Sequence, residues 1–270
     1  MGHTYSSTFK FMALGLIAAI LAVLPFYGWI HGKEWPAIMG FPLGWLSAGM
    51  VYMATFFHEL GHTLFLWLFG YFTLPSFDFV HGGGMAWYFG GQNIVILITV
   101  WAALAYGIWH FQFNRLVQAG LGLLLAISLC FSFTDQYMSV ADFMGPAAEP
   151  LIAAFFLFRA LFDVAPRGNL ERFLNAYFGW GLILQVFINA QGLLNSVAYR
   201  LVYYEQKGSH GFGDFDKIAE RVSFLSFENI VWIWGIMALA CLIVPFVLRA
   251  FWDKYEEVEI PQKGEEKSLT

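Results

Sequence analysis

The sequence predicts an all-α polytopic membrane protein of about seven transmembrane helices, with a small interfacial β-hairpin near residues 72–89. Three observations support this prediction. Of the 270 residues, 59% are hydrophobic and 12% are charged, whereas soluble domains carry about 25% charged residues. Aromatic residues make up 20% of the chain, which suits a protein whose solvent is lipid. Several uncharged runs also reach the length of about 20 residues that a helix needs to cross a bilayer.

Seven predominantly apolar segments are candidate spans. Only helices and closed barrels satisfy every backbone hydrogen bond in lipid, so these runs predict helices. The joints between them are short, which predicts one polytopic membrane domain over residues 1–251 and a polar, flexible tail over 252–270. The candidate spans are residues 11–30, 35–57, 92–111, 116–133, 143–162, 173–199 and 229–248.

The segment 72–89 has a different pattern. Its aromatic residues alternate around a run of three glycines, Gly82 to Gly84, and this pattern predicts two short strands joined by a turn. Open sheet edges do not face lipid. We therefore expect the hairpin to lie at the membrane interface or in a cavity walled by protein.

Charge and cysteine content exclude two classes of function. The net charge is −5 and the chain has no basic block, so nucleic-acid binding has no electrostatic basis. The two cysteines, Cys130 and Cys241, lie in separate apolar runs and form neither a cysteine metal motif nor a disulfide framework.

The chemistry-bearing motif is His58-Glu59-Leu60-Gly61-His62, an HExxH sequence inside an otherwise uncharged run. Positions i and i+4 share one face of a helix, so both imidazoles can reach a single ion. Glu59 lies beside them and can accept a proton from water activated by that ion. Ionisable groups at membrane depth are costly and usually functional. The motif therefore predicts a zinc site.

A zinc site of this kind needs a third protein ligand and leaves one position for water. Spacing alone leaves the choice open among several residues outside the motif. Glu149 is one of them, and we expect it one turn inside the span 143–162, where the helix dipole favours an anion. The candidates are His81, Asp135, Asp142, Glu149, His210, Asp214 and Asp216.

HELGH within a membrane helix, followed by a short hairpin, resembles the site-2 protease family of intramembrane zinc metalloproteases. The sequence Gly-Pro-Ala-Ala-Glu-Pro-Leu over 145–151 resembles that family's GPxxN segment, with Glu149 in place of the Asn. Asn195 followed by Gly-Asp-Phe-Asp-Lys-Ile over 213–218 loosely resembles its N-x-x-P…D-G element, although the Pro and the second Gly are absent and the gap is longer. The resemblance covers residues 44 to 220.

The resemblance implies that Asp214 is the third zinc ligand, with Asp216 and His210 as alternatives. Topology is consistent with this choice. With seven spans, the loops at 71–91, 134–142 and 201–227 lie on one side of the membrane and hold or adjoin every candidate ligand outside the helix.

Further polar and small residues are predicted to support the site. Amides at membrane depth either bond helix to helix or hold a ligand or substrate carbonyl in place, and both interpretations remain open. The residues concerned are Asn189, Gln191, Asn195, Gly145 and Pro146.

Together, the motif and the resemblance predict a zinc-dependent endopeptidase that cuts transmembrane or membrane-adjacent segments of a protein substrate within the lipid bilayer. Glu59 is the predicted general base, and Zn²⁺ the cofactor. Two alternatives remain: a metal-binding transporter or sensor that cuts nothing, and a degenerate scaffold. The sequence does not specify the oligomeric state.

Overall fold

The computed structural model describes residues 2–30, 43–78, 83–205 and 212–259. Within these ranges the chain is mainly helical with one small antiparallel sheet, as predicted. The elements are α1 (Gly2–Ile30), α2 (Trp45–Leu68), β1 (Thr73–Phe77), β2 (Gly84–Tyr88), α3 (Ile94–His110), α4 (Arg115–Phe131), α5 (Gln136–Leu161), α6 (Asn169–Asn195), α7 (Val197–Glu205), α8 (Asp214–Arg221) and α9 (Phe227–Glu259).

Four helices within the described ranges are long and apolar enough to cross a membrane, fewer than the seven predicted. They are α1, α5, α6 and α9, over Thr8–Pro25, Gln136–Leu161, Asn169–Asn195 and Phe227–Trp252.

Helix length and polarity explain the difference. Helices α3 and α4 have 17 residues each, and at 1.5 Å per residue they are about 25 Å long, shorter than a hydrocarbon core of about 30 Å. Helix α2 has 24 residues, but the polar HELGH segment lowers its mean hydropathy. Part of the predicted second span, residues 35–42, lies outside the described residues.

Several predicted boundaries are also wrong. Helix α5 begins at Gln136, seven residues before the predicted span 143–162, and the predicted span 173–199 is divided, since α6 ends at Asn195 and α7 begins at Val197. The predicted tail 252–270 starts inside α9, which continues as helix to Glu259. Residues 260–270 lie outside the described ranges, and their flexibility stays a prediction.

Helix α1 runs parallel to α6, whereas seven alternating spans would make the two antiparallel. The Arg172 guanidinium donates to Thr8 Oγ1 near the start of both helices. Further along both helices, a Cβ at Gly15 would lie 2.5 Å from the Cβ of Ala176. The small residues at this crossing let the two backbones approach closely, as is common between helices in membranes.

Helices α2 and α5 pack antiparallel around the HELGH segment. A Cβ at Gly61, inside the motif, would lie 2.1 Å from the carbonyl oxygen of Met144, so only glycine permits this approach. On its other side α5 packs against α6 and α9, where Leu157, Ile183 and Val231 are almost fully buried. The motif is therefore held against a helix that is itself packed on α6 and α9.

Side-chain hydrogen bonds anchor the C-terminal end of α2. The last carbonyls of a helix lack partners within the helix. Ser128 Oγ, on α4, donates to the carbonyl of Leu68 over 2.6 Å, and Gln92 Nε2 donates to the carbonyl of Phe69 over 2.9 Å. The indole of Trp101 in turn donates to Ser128 Oγ over 2.8 Å. These bonds tie α3 and α4 to the helix that carries the motif.

The predicted hairpin is confirmed, with Phe77 paired to Gly84 and Thr73 paired to Tyr88. Residues 79–82, between the strands, lie outside the described ranges. Successive side chains of each strand point to opposite faces of the sheet. Thr73 is buried toward α2, and the exposed side chains of Leu74, Met85 and Trp87 lie on the opposite face.

Candidate metal centre

His58 and His62 lie one turn apart on α2, and their ring centroids are 4.9 Å apart. His62 is buried and His58 is half-buried. The facing position on α5 is Gly145, where a Cβ would lie 2.2 Å from His62 Nε2. The missing side chain at this position leaves the space that the imidazole occupies.

Asp214, the first residue of α8, completes the group. Its Oδ2 lies 3.0 Å from His58 Nε2 and 3.5 Å from His62 Nε2. One ligand atom from each of the three residues lies within 4.8 Å of the others, so the group could hold a metal ion. The structure thus brings Asp214, the residue that the resemblance implied as a third ligand, next to the two histidines, although it lies 152 residues beyond the motif in the chain.

The outer nitrogens of both imidazoles have hydrogen-bond acceptors. His62 Nδ1 donates to the carbonyl of Ala141 over 2.8 Å, and His58 Nδ1 lies 2.9 Å from Glu149 Oε1. A carbonyl or an ionised carboxylate only accepts, so each Nδ1 carries the proton and a neutral ring has its lone pair on Nε2. Both lone pairs then face the carboxylate of Asp214.

The contact between His58 and Asp214 requires a bridging proton or cation. A lone pair and an ionised carboxylate repel each other at 3.0 Å, so a shared proton or a metal cation must lie between Nε2 and Oδ2. Metal-ligating histidines typically donate their other N–H to a carboxylate or a backbone carbonyl, which fixes the tautomer. The donor set and its outer partners therefore fit a metal ion.

Glu149 lies in the middle of α5 rather than near its start, so the expectation that a helix dipole stabilises it is wrong. The prolines at 146 and 150 both lie inside α5. Glu149 is 7% exposed, and the contact with His58 Nδ1 gives its buried carboxylate a partner.

Two ion pairs involve α8, one within the helix and one to α5. Lys217 Nζ donates to Asp214 Oδ1 over 3.2 Å, and Arg221 donates to Asp142 on α5. Burial alone would lower the pKa of Lys217, but the charges of Asp214 and Asp142 outweigh it and raise that pKa. Lys217 is therefore charged at neutral pH.

Asp216, the alternative ligand on the same helix, has a structural role instead. Its Oδ2 accepts from the backbone N–H of Gly213 over 3.0 Å, and its Oδ1 accepts from the Tyr204 hydroxyl over 3.2 Å. These bonds fix the start of α8. Tyr203 packs so closely there that a Cβ at Gly213 would lie 1.6 Å from its hydroxyl oxygen, and burial raises the pKa of its phenol.

Glu59 lies next to the histidines in the chain, and the residue is 7% exposed. The first residue of β2 packs against it, since a Cβ at Gly84 would lie 2.4 Å from Glu59 Cγ and 2.9 Å from its Oε1. The hairpin backbone thus passes directly over the carboxylate predicted to act as the base.

Four of the residues predicted to support the site bond within or between helices. Asn189 Oδ1 accepts from the Tyr199 hydroxyl over 2.6 Å, while the exposed Asn195 donates to the backbone carbonyl of Gln191 over 3.1 Å. The carbonyl of Pro146 accepts from the Trp234 indole over 2.8 Å. These bonds fit the helix-to-helix interpretation of the polar residues.

The remaining candidate ligands do not belong to the group either. Asp142 is paired with Arg221, and Asp135 is exposed at the start of α5. His81 and His210 lie outside the described residues.

Sequence reasoning missed Lys217 and the contact between Gly84 and Glu59. Lys217 had one available signal, its position three residues after Asp214, which places both on one face of a helix. The glycine contact had no signal, because it depends on where the hairpin folds back over α2.

Comparisons with known proteins give no relative. No protein-family model, no curated protein and no solved structure matches this chain. The function proposed below therefore rests on the residues and their geometry.

Proposed function

We propose that this protein is an intramembrane zinc metallopeptidase, similar in its chemistry to the site-2 proteases. The observation that carries the proposal is the convergence of His58 Nε2, His62 Nε2 and Asp214 Oδ2, with both outer nitrogens engaged. These are two imidazole donors and one carboxylate donor, a set that catalytic zinc sites use.

Buried charge favours a divalent cation over a proton at this position. Glu59, Glu149 and Asp214 are each less than 9% exposed. Burying ionised carboxylates is costly unless opposite charge compensates them. With the ammonium of Lys217, which pairs with Asp214, a proton on His58 gives two positive charges for three carboxylates, whereas a divalent ion in place of that proton gives three.

The remaining chemistry belongs to Glu59. A zinc ion at this position would lower the pKa of a water to about 7 and polarise a peptide carbonyl. Glu59 is beside the ligands and accepts the proton of the attacking water, then returns it to the leaving amine nitrogen. In an HExxH helix, the two histidine ligands and the glutamate that acts as base lie within about one helical turn.

The substrate proposed is a transmembrane or membrane-adjacent protein segment. Four helices in the described ranges have the length and apolarity of membrane spans, which supports an integral, multi-pass location. A helical segment protects its own carbonyls by hydrogen bonds and has to unwind before attack. The hairpin, whose Gly84 lies over Glu59, can hold an unwound segment by strand addition.

Reconstitution with single-span substrates tests the proposal. Wild-type protein should yield peptide products identified by mass, and Glu59→Gln should keep its zinc while cleavage falls by about 10²–10⁴-fold, the usual effect of losing a general base. Glu228→Gln, which removes a carboxylate from the start of α9, is a matched control and should cleave normally.

Two outcomes would contradict the proposal. Undiminished cleavage by Glu59→Gln would exclude this hydrolytic mechanism. Absence of products from zinc-loaded wild type over a broad substrate panel would favour the transporter or sensor alternative, in which Glu59→Gln alters metal flux instead.

A further inference from the structure

The two carboxylate oxygens of Asp214 have different partners. Oδ2 faces both histidine Nε2 atoms, at 3.0 and 3.5 Å. Oδ1 accepts from Lys217 Nζ over 3.2 Å. Lys217 donates from an ammonium group and Asp214 is buried, so this hydrogen bond is charge-assisted.

We propose that Lys217 is a positioning residue that restricts Asp214 to one-oxygen ligation. The inference rests on the proposed function, and it deepens it. A carboxylate can offer one or both oxygens to a metal. With Oδ1 held by Lys217, Asp214 contributes one donor, and the site has three protein donors and one open position for water, the arrangement of a catalytic zinc.

The fold keeps Lys217 in this place. It follows Asp214 by three residues on α8, so the two side chains lie on the same face of the helix. The next turn of that face carries Arg221, which pairs with Asp142 on α5. Asp216 fixes the start of the same helix through the Gly213 N–H. The side chain of Lys217 is 36% exposed, while that of Asp214 is 11% exposed, so the ammonium approaches the carboxylate from the solvent side.

Without the ammonium, the positive charge that holds Oδ1 away from the histidines is lost. The attraction of the carboxylate to a bound cation would then favour ligation through both oxygens. We therefore expect uncharged substitutions at Lys217 to convert Asp214 to a two-oxygen ligand and to fill the open position.

The test uses Co²⁺ as a spectroscopic substitute for zinc in the full-length protein. Visible absorption of bound Co²⁺ distinguishes four-coordinate from five-coordinate sites, because the lower-coordinate ion absorbs more strongly. Lys217→Met keeps the length of the side chain, and Lys217→Arg keeps its charge. Arg221→Met is the matched control, since it removes a cation from the same face of α8 but pairs with Asp142 instead.

We expect Lys217→Met to bind one Co²⁺ per chain with a weaker, five-coordinate spectrum, and its cleavage rate to fall in kcat. Lys217→Arg should restore most of the wild-type spectrum, and Arg221→Met should retain it. If Lys217→Met does not accumulate, Lys217→Ala is measured in the same way.

A wild-type spectrum from Lys217→Met or Lys217→Ala would overturn the positioning role while leaving the metal site intact. An equal change in Arg221→Met would also overturn it, because the effect would then belong to α8 as a whole. Failure of the wild type to bind Co²⁺ or zinc would instead overturn the proposed function, and the role of Lys217 with it.

Discussion

Gly145→Ala is the smallest substitution that should destroy metal binding. The added Cβ would lie 2.2 Å from His62 Nε2, 2.3 Å from Cε1 and 2.7 Å from Cδ2. Ordinary van der Waals contact begins near 3.4 Å, so the imidazole would have to move by about 1.2 Å. A metal–nitrogen bond tolerates deviations of about 0.2 Å.

The His62 ring cannot move away from the added Cβ without losing other contacts. His62 is 8% exposed, and rotation about its side chain would break the bond from Nδ1 to the Ala141 carbonyl. Separation of α2 from α5 would open the close packing of Gly61 against the Met144 carbonyl. We expect zinc affinity to fall by at least about 100-fold, more than the loss of an outer hydrogen-bond partner costs, and stability to fall by about 1–3 kcal/mol from overpacking.

Competition with a chelating zinc indicator measures the affinity, and circular dichroism in detergent checks the fold. Gly49→Ala is the matched control: it makes the same change on α2, where a Cβ would have no atom within 4 Å, and it should bind zinc as wild type does. Wild-type affinity in a folded Gly145→Ala protein would refute the placement of His62 Nε2 against α5.

Two further predictions concern groups around the metal. Glu149→Ala should weaken zinc binding by about 10–100-fold, because His58 Nδ1 loses its acceptor. Glu149→Gln, which keeps a carbonyl acceptor, should recover most of that loss. A zinc titration that finds both variants equal to wild type would exclude the role of Glu149. Gly84→Ala should retain zinc but slow cleavage, because its Cβ would lie 2.4 Å from Glu59 Cγ and push that side chain aside. Gly83→Ala is the matched control, and product formation unchanged in Gly84→Ala would show that the hairpin does not constrain the base.

The sequence was most informative where chemistry is local. The two histidines and Glu59 lie within five residues, so the helical period alone predicts that both imidazoles share a face. The hairpin was also local, since its alternation and glycines lie within one segment. The prediction of Asp214 was different. It rested on a loose resemblance to a family element, and no helical or strand periodicity connects Asp214 to the histidines.

Tertiary contacts between distant segments could not be predicted. Glu149 lies 91 residues from His58, and its role depended on α5 beginning at Gln136, which the sequence placed seven residues later. The composition of α5 hid this start, because its first turns contain polar residues that a hydropathy run excludes. The parallel packing of α1 on α6 likewise depends on small residues such as Gly15, whose partners are not evident from spacing.

The sequence overestimated the number of membrane-spanning helices, because within the described residues three of the predicted spans are too short or too polar. Helix α2 carries the polar HELGH residues, which lower its mean hydropathy, and α5 and the hairpin cover its polar face. Helices α3 and α4 are short, and they anchor the end of α2 through Ser128 and Gln92. These elements support the site instead of adding spans of full length.

Elemental analysis of the purified protein tests the central claim most directly. We predict about one zinc per chain in the wild type, almost none in Asp214→Ala, and full occupancy in Asp216→Ala, whose side chain caps α8 and does not face the histidines. Equal zinc content in the wild type and Asp214→Ala would contradict the account. A wild type without any divalent metal would also contradict it and would leave a protonated His58 between the carboxylates of Glu149 and Asp214.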